Sequence, residues 1–234
     1  MDSTPSNPIT DLYKTLSAPT YSIAEVHRLT GISRWRISRW LRGYKYDGGE
    51  QDPVIRRTIP PESTYASFLD LIDLLFVRKF IERGFSLQFI RKALEEARVH
   101  LGTPHFARNK FFTSSDKIIL ELPKSSNNMV ALLTHGQRAI GEIIEKVYDK
   151  LDFEEVTEFG FVSRWYPEGK EGYIIIDPHI SFGRPTVKGT GIATENIFDL
   201  YLGENQKIEP VRNWFQLPRH EIQAAIRFEA SLVA

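Results

Sequence analysis

Apolar residues recur at helical spacing along much of this chain, and short polar signals mark where each run starts and stops. Ser22-Ile23-Ala24-Glu25 gives the clearest start: Ser22 can bond the backbone of Glu25 while Glu25 reaches back, a capping box. The helix it predicts carries Ile23, Val26 and Leu29 inward. Thr30-Gly31-Ile32-Ser33 reads as a tight turn, with Gly31 free to take positive φ and Ser33 placed to cap a second helix, Arg34–Arg42. On that helix, at about 100° per residue, Ile37, Trp40 and Leu41 share one face and Trp35, Ser38, Arg39 and Arg42 the other. Arg34 and Arg36 flank the outer face. Two short helices joined by a glycine turn, the second rich in arginine, describe a helix-turn-helix. Tyr44-Lys45-Tyr46, then Asp47-Gly48-Gly49, then residues 54–59 read as a hairpin wing with Arg56 and Arg57 on its return strand.

Downstream, residues 68–83 are apolar almost all round, which predicts a helix buried in a core or in a dimer seam. Gly84 breaks it, and Ser86 can cap a further helix with Leu87, Ile90, Leu94 and Ala97 at helical spacing. Arg91, Lys92 and Arg98 fall on its other faces and read as solvated charges. Two short strands are expected within 111–122, and a second capping box at Thr134 opens a helix striped with Ile140, Ile143, Ile144, Val147, Tyr148 and Leu151. Residues 162–172 read as loop, and 173–176 as a strand whose partner holds Val187. Three helices should follow: one capped by Thr194 and ended by Gly203, one over Ile208–Phe215, and one from Pro218 onward. The last two are arranged like another helix-turn-helix.

The fold class is thus mainly α (α+β). An N-terminal winged helix-turn-helix with a helical extension precedes a C-terminal β-hairpin plus three-helix domain. Residues 1–19, polar with three prolines, read as a flexible lead-in. The winged helix spans 20–62, a helical and hairpin connecting region 63–160, and the C-terminal domain 171–234.

Composition sharpens this picture in one respect. Net charge is zero, yet residues 1–110 hold 17 basic against 12 acidic residues and the remainder 13 against 18. From Gly31 to Tyr46 the bases are Arg34, Arg36, Arg39, Arg42 and Lys45, and acids enter only at Asp47. Arginine reaches both phosphates and guanine edges, so DNA binding is the favoured reading of this stretch. Ser33, Arg34, Trp35, Arg36, Ser38, Arg39, Arg42, Lys45, Arg56 and Arg57 are the candidate DNA contacts. The acidic 142–158 segment, seven acids against two lysines, reads as a solvated face or as a surface for a basic partner. No run reaches the roughly 18 apolar residues of a membrane span, and no basic-then-apolar leader opens the chain. The absence of cysteine excludes disulfides and thiolate metal sites and fits a cytoplasmic protein.

Catalytic chemistry has little to stand on. The histidines show no paired metal-ligand spacing, and His179 reads as a structural loop residue. Gly189-Thr190-Gly191 lacks the frame of a phosphate-binding loop and reads as hairpin turn geometry, as do Gly183 and Gly189 around Pro185. The expectation is a binding protein, not an enzyme, with no cofactor and no metal.

The C-terminal block carries a resemblance. Residues 176–192, with Asp177-Pro178, Gly183-Arg184-Pro185-Thr186-Val187 and Gly189-Thr190-Gly191-Ile192, resemble the signature of the DUF433 family. Leu217, Glu221, Ile222, Ala224, Ala225 and Ile226 match its helical ending, while Gly191 stands where that family commonly has arginine. The N-terminal part, through Ile23-Ala24-Glu25-Val26, Thr30-Gly31-Ile32-Ser33, Ile37 and Trp40, looks like the MerR-like winged helix that precedes this domain in VapB-type antitoxins. Those regulators often have arginine at the position of Ser38. The resemblance implies an antitoxin that binds double-stranded operator DNA, represses its own operon and silences a PIN-like ribonuclease toxin, and the apolar Leu69–Ile81 helix together with the need for paired half-sites makes a homodimer the expected species. The alternative is a toxin-neutralising or scaffold protein whose winged helix binds protein instead of DNA. Ile174, Ile176, Arg184, Pro185 and Lys188 are the candidate partner contacts, because a flat apolar strand can pair with a partner's edge.

Overall fold

Ser22 does what its sequence predicts: its side chain accepts from Glu25 N at 3.2 Å, and Glu25 Oε2 accepts from Ser22 N at 2.7 Å. The computed structural model describes residues 8–60, 62–101, 105, 146–154 and 161–233. Its first elements are α1 (Pro8–Ser17), β1 (Tyr21–Ser22), α2 (Ile23–Thr30), α3 (Arg34–Arg42), β2 (Tyr44–Tyr46), β3 (Gly49–Gln51), β4 (Tyr65–Ala66), α4 (Phe68–Glu82) and α5 (Leu87–Leu101). Then come β5 (Leu151–Glu154), β6 (Phe161–Trp165), β7 (Ile174–Ile175), β8 (Thr186–Val187), α6 (Thr194–Gly203), α7 (Ile208–Phe215) and α8 (Arg219–Val233). The fold is mainly α, with its short strands in two-stranded pairs. Two compact units result, one of residues 1–148 and 153–162, the other of 149–152 and 163–234.

In the first unit α4 is the core. Phe68, Leu69, Leu71, Ile72, Leu74, Phe76, Val77 and Phe80 are all buried on it, along with Asp70 and Asp73. Its apolar surface is buried within the single chain. The lead-in expected over residues 1–19 is instead helical from Pro8. Leu12 and Leu16, one turn apart, are buried, and α1 packs on α4. Two apolar residues at i, i+4 among polar ones were enough, and the prolines fall outside the helix interior.

The return strand expected over 54–59 is also corrected. β2 pairs with β3 in the register Tyr44↔Gln51, Lys45↔Glu50, Tyr46↔Gly49, so the hairpin closes before Pro53, which has no N–H to continue a ladder. Val54 and Ile55 are then buried side by side, and both their N–H groups donate to Trp40 O, at 2.8 and 3.0 Å. Arg57 points inward. Its side chain is 2% exposed, its Nε lies 3.1 Å from Asp70 Oδ2, and its Nη2 donates to Tyr65 O. That same Asp70 oxygen accepts from Ser67 N at 2.9 Å, closing a Ser67/Asp70 capping box at the head of α4.

In the second unit β7 and β8 pair as expected, Ile174↔Val187 and Ile175↔Thr186. Residues 162–165, expected as loop, belong to β6. Phe161, Val162, Ser163 and Trp165 are buried, and Trp165 exchanges two backbone bonds with Ile176 at 2.9 and 2.8 Å. The turn signal in Tyr166-Pro167-Glu168-Gly169 begins only after this strand. Helix α6 is capped by Ala193, not Thr194. The Thr194 hydroxyl is buried and bonds Pro185 O and Glu229, which takes it out of the capping role. Helix α8 packs on α6, α7, β7 and β8. The strands expected in 111–122, the capping box at Thr134 and residues 140–145 of the expected helix lie outside the described residues, while 146–148 are helical. Residues 149–150 are already a turn, so Leu151 opens β5 instead.

A polar cluster closes the 166–170 turn. Tyr166 Oη donates to Asp152 Oδ2 at 2.6 Å, and Lys170 Nζ pairs with Asp152 Oδ1 at 2.9 Å. Burial, the hydrogen bond to Asp152 and its negative charge push the Tyr166 phenol up to about 12. Burial works against ionised Asp152, but the bonds from Tyr166 and Lys170 outweigh it and hold the carboxyl below its ordinary value.

Removing Arg57 strands the buried Asp70 carboxylate. Arg57→Ala should cost about 3–5 kcal/mol in urea unfolding. Arg56→Ala, whose side chain is 60% exposed beside Glu95, should cost about 0–1 kcal/mol. Equal losses would refute the buried pair. Because the folded state keeps the Tyr166 phenol protonated above the ordinary value of 10, its contribution is present below pH 10 and lost as pH rises toward about 12. The stability difference between wild type and Tyr166→Phe should therefore shrink across that window, and a constant difference would contradict the cluster.

Candidate nucleic-acid interface

Gly31 takes φ 67° and lets α2 turn into α3. Thr30 Oγ1 donates to Val26 O at 2.6 Å and accepts from Ile32 N at 3.2 Å, and Arg78 from α4 donates to Thr30 O, so the turn is held on both sides. Ser33 caps α3, its Oγ accepting from Arg36 N at 3.4 Å. Ile37, Trp40 and Leu41 are buried, as the periodicity predicts. Ser33, Arg34, Trp35 and Arg36 are exposed, while Ser38, Arg39 and Arg42 are half-buried on the outer side.

The outer face is preorganised in one place. The Arg39 guanidinium lies 4.3 Å from the Trp35 ring centroid and 3.1 Å from that of Tyr44. Such stacking fixes the plane of a flexible cation and leaves its N–H edges for acceptors. Trp35 is 63% exposed and Tyr46 is 56% exposed, so the face interleaves arginine with aromatic surface. Tyr44 and Tyr46, with ring centroids 6.1 Å apart, are not among the contacts expected from the sequence. The i, i+4 spacing of Trp35 and Arg39 could have revealed that pair, but the Tyr44 ring comes in only through the turn at Gly43.

Gly43 is the joint between helix and hairpin. It has φ 74° and ψ −166°, and a Cβ there would strike Gln51 O and crowd Pro53 N at 3.0 Å. Lys45 is exposed on β2 but faces Glu50 across the hairpin, and Asp47 sits at its tip. The acid-free stretch is therefore α3, not the hairpin. Arg56 is exposed beside Glu95 at 3.4 Å, and Arg57 is removed from the candidate surface by its pairing with Asp70.

The candidate partner residues divide differently. Ile174, Ile176 and Pro185 are buried in the second unit and cannot face a partner, because the β7–β8 pair is covered by α8. Arg184 and Lys188 are exposed. His179 Nδ1 lies 3.2 Å from Asp177 Oδ1, which also accepts from His179 N at 2.9 Å, and Arg164 Nε donates to Asp177 Oδ2 at 2.8 Å. These are the bonds of a buried carboxylate organising a turn. Bonded to Asp177, the Arg164 guanidinium holds its proton above its ordinary value. Among the described residues no group of three or more His, Asp or Glu is placed to hold a metal, and no helix is long and apolar enough to cross a membrane.

Residues 174–228 match the family model described as Protein of unknown function (DUF433). The match lies wholly in the second unit. This DUF433 segment spans β7, β8, α6, α7 and most of α8. Over 91% of both chains the protein is 24% identical to the uncharacterized protein Rv2308 of Mycobacterium tuberculosis strain H37Rv. The crystal structure of Rv2018, also from Mycobacterium tuberculosis, superposes with a TM-score of 0.66 at 16% identity, covering 89% of this chain and 97% of that one. At that identity the likeness shows a shared fold, one that extends well beyond the DUF433 segment.

Any side chain at Gly43 must displace the backbone around Gln51. Gly43→Ala should lower stability by roughly 1–3 kcal/mol. It should also unseat the Tyr44 ring from Arg39, which near-ultraviolet circular dichroism will report. An unchanged spectrum and stability would show that the joint is not where the structure puts it.

Proposed function

We propose that the first unit is a winged helix-turn-helix that binds duplex DNA, and that the chain is a DNA-binding antitoxin repressing its own operon. The observation that carries this reading is α3. Its outward side holds Arg34, Arg36, Arg39 and Arg42 with no acid, and Arg39 is fixed between Trp35 and Tyr44. Arg34 and Arg36 stand in the first turn, at the positive end of the helix dipole, where cations are unfavourable by about 0.3–1 kcal/mol each. A sequence that keeps them there gives up local stability, and an anion arriving at that terminus offsets the loss. A helix so charged fits a major groove, with the β2–β3 hairpin beside it on the backbone. Paired half-sites would make the acting species a homodimer.

The toxin half of the proposal rests on the DUF433 segment and on the likeness of this arrangement to VapB-type antitoxins. A PIN-like ribonuclease is the proposed partner, with Arg184 and Lys188 as the exposed residues of the original set able to meet it. A second reading has support of its own. The exposed Trp35 and Tyr46 would also suit a protein partner, which makes the first unit a protein-interaction module.

Salt dependence separates the two readings. With Arg34, Arg36, Arg39, Arg42 and Lys45 engaged, log K for upstream duplex DNA should fall with log salt at a slope of roughly −4 to −5 per chain. Arg39→Ala should weaken specific binding by about 1–3 kcal/mol and spare scrambled DNA. Absent or salt-insensitive binding would leave the protein-interaction reading, and an equal loss on scrambled DNA would make Arg39 a backbone contact.

A further inference from the structure

Beyond the hairpin, the 52–56 segment and the α5 residues Arg91, Lys92 and Glu95 enclose a hollow of about 170 Å³. Val54 and Leu94, both buried, give it apolar lining, which lowers the local dielectric and strengthens any charge interaction inside. Three cations line it, Arg56, Arg91 and Lys92, against two carboxylates, Asp52 and Glu95. Glu95 is held by Arg56 at 3.4 Å, in a pair whose side chains are 39% and 60% exposed. Such a solvated pair exchanges readily for a better-placed anion.

Arg91 is the unusual member. Sequence spacing placed it on a solvated face, yet its Nε is buried and has no hydrogen-bond partner among the described residues. Its Nη2 donates to Asp52 O at 3.2 Å, which leaves the guanidinium anchored at one end only. Burial pushes its pKa below the ordinary value, with Tyr44 and Asp52 acting the other way. A guanidinium stays charged in proteins, so a hollow lined by one that makes so few bonds favours an anion. Tyr44, which interacts with Arg91, is the ring stacked under Arg39, so the hollow adjoins the candidate interface.

We propose that this hollow is a phosphate-binding subsite. Arg91 and the neighbouring Arg56 and Lys92 take the oxygens of one phosphoryl group, and Glu95 is the internal competitor that Arg56 releases when the group arrives. Arginine suits this task because its planar fork presents parallel donors to phosphate oxygens. The phosphoryl group comes either from the backbone of DNA running past the hairpin, in which case the subsite rests on the function proposed above, or from free phosphate or a nucleotide. In the first case it extends the footprint of α3 by one backbone contact on the far side of the wing.

The full-length chain tests this with two probes, a duplex of arbitrary sequence and inorganic phosphate. If DNA is the source, Arg91→Gln should reduce the steepness of the log K against log salt line by about one. Glu95→Gln should raise affinity for the duplex, and phosphate should shift thermal unfolding equally in all variants. If free phosphate is the source, it should raise the unfolding temperature of wild type above that in chloride of equal ionic strength. That rise should vanish in Arg91→Gln and grow in Glu95→Gln, with the salt slope unchanged. Should wild type bind no duplex at all, the phosphate measurement alone decides, so failure of the DNA reading is distinguishable from failure of the subsite. A folded Arg91→Gln that changes neither measurement overturns the proposal. If Arg91→Gln does not fold, a Glu95→Gln variant indistinguishable from wild type with both probes does the same.

Discussion

One buried carboxylate, Asp70, holds together the part of the chain that presents α3. A single oxygen of Asp70 closes the cap of α4 through Ser67 N and binds Arg57 Nε, and Arg57 in turn reaches Tyr65 O in β4. β4 pairs with β1 through Tyr21↔Ala66 and Ser22↔Tyr65, and Ser22 is the cap of α2. The N-termini of α2 and α4 and the segment after the hairpin therefore share one polar junction. Arg57 Nη1 and Asp70 Oδ1 have no hydrogen-bond partner, so the pair is incompletely satisfied. An ion pair of this kind contributes more to fixing a single arrangement than to net stability. What it fixes is the position of the hairpin relative to α4, on which α3 packs.

Around that junction the first unit separates two demands. The buried faces of α3 and α4 are apolar and locally consistent, and they supply the driving force for folding. The outer face of α3 runs against local preference, with arginines at the wrong end of the helix and a strained glycine joint at Gly43. Local rules broken on a surface, next to a core that obeys them, mark the place where sequence serves something other than stability. That contrast, more than the number of arginines, singles out α3.

How much of this could be read from residues alone depended on range. The Ser22 capping box, the Gly31 turn, the burial of Ile37, Trp40 and Leu41, the limits of α7 and the Ile174↔Val187 pairing all follow from neighbours within a turn or a hairpin. Arg57 was misplaced because its partners are at Asp70 and Tyr65, and no periodicity connects a charged residue after a hairpin with a carboxylate on an apolar helix. Arg91 was misread for the same reason, since the segment that covers it lies 39 residues away at Asp52. Thr194 shows a local rule overruled by a distant group, its hydroxyl drawn to Glu229 across the fold. Leu12 and Leu16 were a local signal obscured by composition, with prolines nearby in the sequence but a helix able to start at Pro8.

The surface proposed to meet duplex DNA is α3 together with the β2–β3 hairpin. Titrating an isotope-labelled chain with duplex DNA from upstream of its own gene, and following backbone amide resonances, maps that surface residue by residue. Shifts should concentrate on Ser33–Arg42 and Tyr44–Gln51, with the buried Arg57–Asp70 junction and the DUF433 segment unmoved. Perturbation confined to the DUF433 segment, or none at a ratio that saturates any specific site, would contradict it.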